Sequence, residues 1–172
     1  GKENRHYRLR NYLERNCENY PTHELGPIAK ILDINRGNRM VSLVSMASGS
    51  FGMEAYVEKK QAEGKYVNPE LIGTDFAQGD IVNTIISCEN GEQILLRLDT
   101  SLPRSYSREF TVRGTKGLYE QAYNATYFDG EREYWEPSDY AKNNINNAER
   151  HKDFLPSFWR DITKEQMDAG HG

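Results

Sequence analysis

Apolar residues recur at helical spacing near the start of the chain and at alternate positions through its middle, and this change of period marks out the elements. Leu9, Leu13 and Cys17 stand four apart with Tyr12 and Asn16 alongside, which predicts an amphipathic helix over 5–17. Arg5, Arg8, Arg10 and Arg15 decorate its remaining surface. Ile28, Ile31 and Leu32 share one face of a second helix, expected from Pro27 to Asn35 because proline lacks an N–H and suits a first helical turn. Met40 to Met46 alternates imperfectly before Ala47-Ser48-Gly49-Ser50 and reads as a strand leaving into a loop. Met53, Tyr56 and Val57 give a short helix between Phe51 and Gly64, with Gly64 as its stop.

The strongest local signal is Asn90-Gly91 between Ile81–Cys88 and Gln93–Thr100, two strands with a dipeptide suited to a type I′ turn. Ile94, Leu96 and Leu98 share one face of the second strand, and Phe110 and Val112 alternate with polar residues in a further strand over 108–113. Gly114 and Gly117 bracket a turn into Leu118–Gln121, and 124–129 adds a last strand. Short connections favour an antiparallel meander, and the lack of strand-helix-strand alternation argues against a doubly wound parallel sheet. The expected fold is α+β, a predominantly antiparallel sheet with helices packed on one face. After Asp129 comes a polar stretch, asparagine-rich over 143–147, and then Phe154-Leu155-Pro156-Ser157-Phe158-Trp159, expected as an arm packed on the sheet.

A length of 172 residues suits one domain with a core of its own. The net charge of −4, with both signs mixed along the chain, offers no basic field for a nucleic acid. Apolar runs such as Ile94-Leu95-Leu96 fall far short of the ~20 residues of a bilayer span. Cys17 and Cys88 lack the spacing of a zinc site or a disulfide scaffold, so no metal is expected. The chain opens Gly1-Lys2-Glu3 without an apolar targeting segment, as a mature or excised fragment would.

No G-x-G-x-x-G, G-x-S-x-G, HExxH or P-loop motif occurs, so no nucleotide-binding loop is expected within the chain. Asp99 and Glu109 come nearest to a carboxylate pair, and both read first as solvated strand charges. What remains is Arg8, Tyr20, His23 and the segment Leu102–Ser107 with Tyr106. His23 lies at the mouth of the second helix, where the positive end of the helix disfavours imidazolium and leaves a ring able to accept a proton. A histidine that merely caps the helix fits the same position. Arg8 can hold ligand oxygens or pair with Glu18 or Glu24. Tyr20 and Tyr106 offer a ring and a hydroxyl to a sugar face, although with eleven tyrosines present each reads equally as packing.

Gly1 to Gly37, carrying HYRLR and YPTHELGP, resembles the second-domain entry of family-109 glycoside hydrolases, a branch of the Gfo/Idh/MocA oxidoreductase-like superfamily. The stretch from Gln78 to Tyr119 resembles the central hairpin region of that family, and Ala169-Gly170-His171-Gly172 the start of its Gly-His-Gly-Gly-Met-Asp segment. The resemblance implies that the chain is the C-terminal, substrate-side α+β domain of an enzyme. Its N-terminal Rossmann domain, absent here, would be a partner and would bind most of the NAD cofactor. It also implies a catalytic His23 shuttling protons, with Arg8, Tyr20 and Tyr106 binding the sugar and the cofactor-binding residues lying elsewhere. The implied reaction is cleavage of N-acetylhexosaminides, such as α-linked N-acetylgalactosamine, by oxidation, elimination, addition and reduction; the fragment alone is expected to be inactive. In the wider superfamily an aspartate commonly lies four residues before the histidine; Asn19 holds that place here, which counts against simple dehydrogenase chemistry. A sugar oxidoreductase and a non-catalytic domain oligomerising through its sheet are the competing readings. The family is bacterial, and periplasmic, secreted and cytoplasmic locations all stay open.

Overall fold

A computed structural model of the chain describes residues 9–99, 101–130 and 155–169. The chain divides into two compact units, residues 1–105 and 106–172. The first unit runs α1 (Leu9–Glu14), α2 (Thr22–Ile31), β1 (Met40–Ala47), α3 (Gly52–Ala62), a 3-10 turn at Pro69–Leu71, β2 (Ile81–Cys88) and β3 (Gln93–Asp99). Its strands form an antiparallel sheet in the order β1-β2-β3. The α+β expectation holds.

Alternation decides which face of this sheet is covered. Val82, Thr84, Ile86 and Cys88 of β2 point inward with Ile94 and Leu96 of β3 and are buried. Leu25 and Ile28 of α2 and Leu32 just past its end, at three- and four-residue spacing, pack onto Ile86, Cys88, Ile94 and Leu96. All three are only partly buried, so each contributes less than the roughly 1.5–3 kcal/mol of full burial, and it is their sum, rather than propensity, that holds a short helix. Leu9 and Tyr12 of α1, Met53 and Val57 of α3, and Leu71 and Phe76 form a second cluster. The outward face of the sheet leaves Val44, Met46, Ile85 and Leu95 exposed.

Three local expectations are corrected. Helix α2 begins at Thr22, five residues before Pro27, which lies inside it. The Leu25 N–H donates to the Pro21 carbonyl at 2.8 Å and opens the helix there, while Pro27 has no N–H to give the His23 carbonyl. Packing of Leu25 offsets that lost bond, and positive φ at Asp33 and Asn35 ends the helical path before the predicted limit. The described part of α1 stops at Glu14, because Asn16 and Cys17 turn their polar groups to Gly79 and Gln78 instead. Glu89-Asn90-Gly91-Glu92 joins β2 to β3, closed by the Gly91 N–H donating to the Cys88 carbonyl at 3.1 Å and the Cys88 N–H donating to the Glu92 carbonyl at 2.9 Å. Gly91 alone in that loop takes a positive φ, +98°, the signature of a type I turn with a glycine bulge rather than type I′.

The second unit carries another antiparallel sheet, β4 (Thr111–Gly114), β5 (Gly117–Glu120) and β6 (Ala125–Phe128) in that order, then the short helices α4 (Ser157–Arg160) and α5 (Lys164–Asp168). The strand expected over 108–113 starts later, after Glu109 with φ +48° breaks the extended path. The expected single meander is therefore two three-stranded sheets. The asparagine-rich stretch over 143–147 and Phe154 lie outside the described residues.

A distant side chain explains the loop correction. Buried Asn38 donates through Nδ2 to the Leu32 carbonyl and to Glu92 Oε2, both at 3.0 Å, and its Oδ1 accepts from the Arg39 and Asn90 backbone N–H groups. It ties the end of α2 to the β2–β3 loop. Asn38→Ala strands several of these groups and is expected to lower stability by about 1–3 kcal/mol in urea unfolding; an unchanged midpoint would contradict this role.

Candidate functional site

The corner between α1 and α2 carries Tyr20 and His23, and three consecutive residues before β2 hold the surroundings of that corner. Gln78, only 1% exposed, accepts at Oε1 from the Cys17 backbone N–H at 3.2 Å and from Asn19 Nδ2 at 2.8 Å. Its own N–H donates to the Tyr12 carbonyl at 2.9 Å, reaching α1. The Gly79 N–H donates to Asn16 Oδ1 at 3.1 Å, and a Cβ at this glycine would run into the Ser48 carbonyl oxygen. Asp80, 2% exposed, accepts from the Phe51 N–H at 2.8 Å and the Gly52 N–H at 3.0 Å, and from the Ser101 hydroxyl. Its carboxylate thus caps the N-terminus of α3.

This brace explains Asn19. A backbone N–H can only donate, so Cys17 fixes the oxygen end of the Gln78 amide toward the corner. Asn19 must then present its NH2, which an ionised aspartate does not possess. The asparagine is a structural donor.

On the corner so held, the Tyr20 hydroxyl and His23 Nε2 are hydrogen-bonded at 2.9 Å. The rings meet edge to face, with centroids 4.9 Å apart and planes at 79°. Tyr20 precedes the helix while His23 sits in its first turn, so this pair is built across the helix entry. His23 is exposed and Tyr20 is 48% exposed, so both rings of the hydrogen-bonded pair reach the surface. Phenol and imidazole linked this way can exchange a proton, with the direction set by the tautomer.

Glu18 lies on the inward side of the same corner. Burial raises its carboxyl above the usual carboxylate range, the negative charge of Glu24 adds to this, and the Leu98 amide and Thr84 hydroxyl counter it in part. Of the remaining sequence candidates, Arg8 lies outside the described residues. Tyr106 belongs to the second unit, where it is 83% exposed and its hydroxyl accepts from Arg108 Nε at 3.3 Å. Asp99 is engaged with the Arg104 guanidinium, Nε to Oδ2 at 3.2 Å, and accepts from the Leu102 N–H. Gln78 and Asp80 carry no sequence signal of their own, since a polar triplet before a strand reads as an ordinary turn until burial is known, and Glu18 reads as one more charge in a polar segment.

Among the described residues, no group of three or more His, Cys, Asp or Glu side chains is placed to hold a metal. No described helix is long and apolar enough to cross a membrane. The Ser48-Gly49-Ser50-Phe51-Gly52 loop leads into the N-terminus of α3, the arrangement that would cradle a pyrophosphate, but the Asp80 carboxylate already occupies those N–H groups. The residues there do not fit a dinucleotide.

Residues 1–172 match the family described as glycosyl hydrolase 109, C-terminal domain. A glycosyl hydrolase family 109 protein of Parabacteroides distasonis is 36% identical over 168 residues, covering 96% of this chain and 33% of that protein. A Tannerella forsythia protein named alpha-N-acetylgalactosaminidase is 36% identical over the same shares, and one of that name from Shewanella oneidensis is 30% identical over 94% of this chain and 34% of its own length. The chain spans about a third of the length of these curated relatives.

If Gln78 is the brace, Gln78→Leu preserves bulk but leaves the Cys17 N–H without its acceptor, and stability should fall by about 1–3 kcal/mol. Hydrogen exchange at the Cys17 amide should quicken more than at the central amides of β2. Equal protection at Cys17 in the variant and the parent would contradict the brace.

Proposed function

Because the chain belongs to the glycosyl hydrolase 109 C-terminal domain family, we propose that it supplies the sugar-binding and proton-transfer side of a glycoside hydrolase acting on N-acetylhexosaminides. The names of two relatives support α-linked N-acetylgalactosamine as the leading substrate. The observation that carries the reading is the exposed Tyr20–His23 hydrogen bond on a braced corner.

Each residue takes a role from its chemistry. When His23 Nε2 accepts from the Tyr20 hydroxyl, the imidazole can draw off the phenol proton as that oxygen takes one from the sugar. In the other tautomer Nε2–H donates to Tyr20 and fixes its oxygen as an acceptor for a sugar hydroxyl. Arg8 and Tyr106 are proposed to grip sugar oxygens and a sugar face, respectively. NAD is proposed to be bound by a Rossmann domain outside this chain, since Asp80 fills the one described helix N-terminus that follows a glycine-containing loop. When bound, that cofactor would supply reversible hydride removal from a sugar carbon, one of the exceptions to two-carboxylate hydrolysis. The uncovered apolar row Val44, Met46, Ile85 and Leu95 favours, in addition, self-association through the outward sheet face. Leu95→Glu would then shift the intact protein toward monomer in sedimentation velocity, and an unchanged profile would remove this part of the proposal.

The test uses the intact protein and an aryl α-N-acetylgalactosaminide, following released aglycone beside the absorbance of reduced nicotinamide. Aglycone should accumulate without net reduced cofactor, whereas stoichiometric reduced cofactor without aglycone would indicate a sugar oxidoreductase. His23→Ala should lose on the order of 10²–10⁴-fold in turnover, the range for a general acid or base. Its melting temperature should stay within a degree or so, because an exposed side chain packs little. Near-normal turnover in that variant would overturn the assignment.

A further inference from the structure

We propose that Glu18 is a positioning residue for the Tyr20–His23 pair, seating the corner that carries both on the inward face of the first sheet through its carboxyl group. The corner is held from one side by Gln78, acting on Cys17 and Asn19. Glu18 lies between those two residues with its carboxyl partly buried, and the Thr84 hydroxyl of β2 and the Leu98 amide of β3 are near enough to act on its charge. Thr84 is itself buried and hydrogen-bonded to Ser45 of β1 at 2.8 Å, so the sheet offers the carboxyl one polar pair beside the apolar Leu96 opposite Thr84. Glu18 Oε1 is buried and has no hydrogen-bond partner. A buried carboxyl oxygen in that state is tolerated when the group is neutral and is costly when it carries charge.

The sign of the pH dependence follows. Burial, then Glu24, raises the Glu18 carboxyl above its ordinary value, against the Leu98 amide and Thr84 hydroxyl. Among the described residues, Glu24 of α2 is the charge that acts on it; β2 and β3 present only the uncharged Thr84 and Leu98. The stability that neutral Glu18 contributes is complete below the ordinary carboxylate range and is lost as pH rises through the raised value. Tyr20 lies two residues on, so loss of the seat is passed to the Tyr20–His23 hydrogen bond.

The kinetic part of the test rests on the functional reading above; the thermal and spectroscopic parts do not. In the intact protein, melting temperature is measured against pH for the parent, Glu18→Gln, Glu18→Ala and Glu24→Gln. Glu18→Gln keeps the shape without the charge, so its advantage over the parent should grow as pH rises, while Glu24→Gln should move the parent's loss to lower pH. The His23 imidazole resonances should drift with the Glu18 titration in the parent and not in Glu18→Gln. In turnover, Glu18→Ala should lose on the order of 10²-fold, the scale of a 1 Å misplacement, and Glu18→Gln should restore most of that loss. Superimposable melting profiles for parent and Glu18→Gln, or His23 resonances indifferent to the substitution, would overturn the proposal. His23→Ala is assayed alongside: if it keeps its turnover, the functional reading fails, and the melting and resonance data alone decide the role of Glu18.

Discussion

The first unit depends on burying three consecutive polar or small residues, Gln78, Gly79 and Asp80, where the chain enters its central strand. Each is tied to a different element. Gln78 reaches α1 and the corner after it, Gly79 takes the Asn16 side chain while pressing on the backbone after β1, and Asp80 closes the N-terminus of α3 and accepts from Ser101. Buried polar groups cost free energy unless their partners are in place, so these contacts are satisfied together or the packing around them fails. This joins the α1–α3 apolar cluster to the sheet, although the two apolar clusters consist of separate residues.

The functional consequence is a rigid base under an exposed pair. Tyr20 and His23 contribute little to either core, yet the segment before them is fixed by the Gln78 amide and the segment after them by Leu25, Ile28 and Leu32 packing on the sheet. Pro27 inside α2 leaves the His23 carbonyl without the usual helical donor, in the same turn that presents the imidazole. A pair carried on braced elements keeps its geometry whether or not a ligand is present.

What could be read from the sequence was what local periodicity controls. The turn signal Asn90-Gly91 between two apolar runs located β2 to the residue, and Met53, Tyr56 and Val57 located α3. The start of α2 is earlier than Pro27 suggests, because a proline favours a first helical turn and the packing of Leu25 lies beyond any local rule. The turn at Asn90 follows from Asn38, more than fifty residues away, which no local window can see. At the site, the three-residue spacing of Tyr20 and His23 was visible while their hydrogen bond was not. The oxygen-inward orientation of Gln78, which makes Asn19 a donor, exists only in three dimensions.

The central claim is that the Tyr20–His23 pair is where this domain meets its sugar. A crystal structure of the intact protein soaked with N-acetylgalactosamine tests it most directly. The account predicts a sugar hydroxyl within hydrogen-bond distance, about 2.6–3.2 Å, of the Tyr20 oxygen or a His23 ring nitrogen. A sugar bound in an ordered site with both side chains facing only solvent would contradict it.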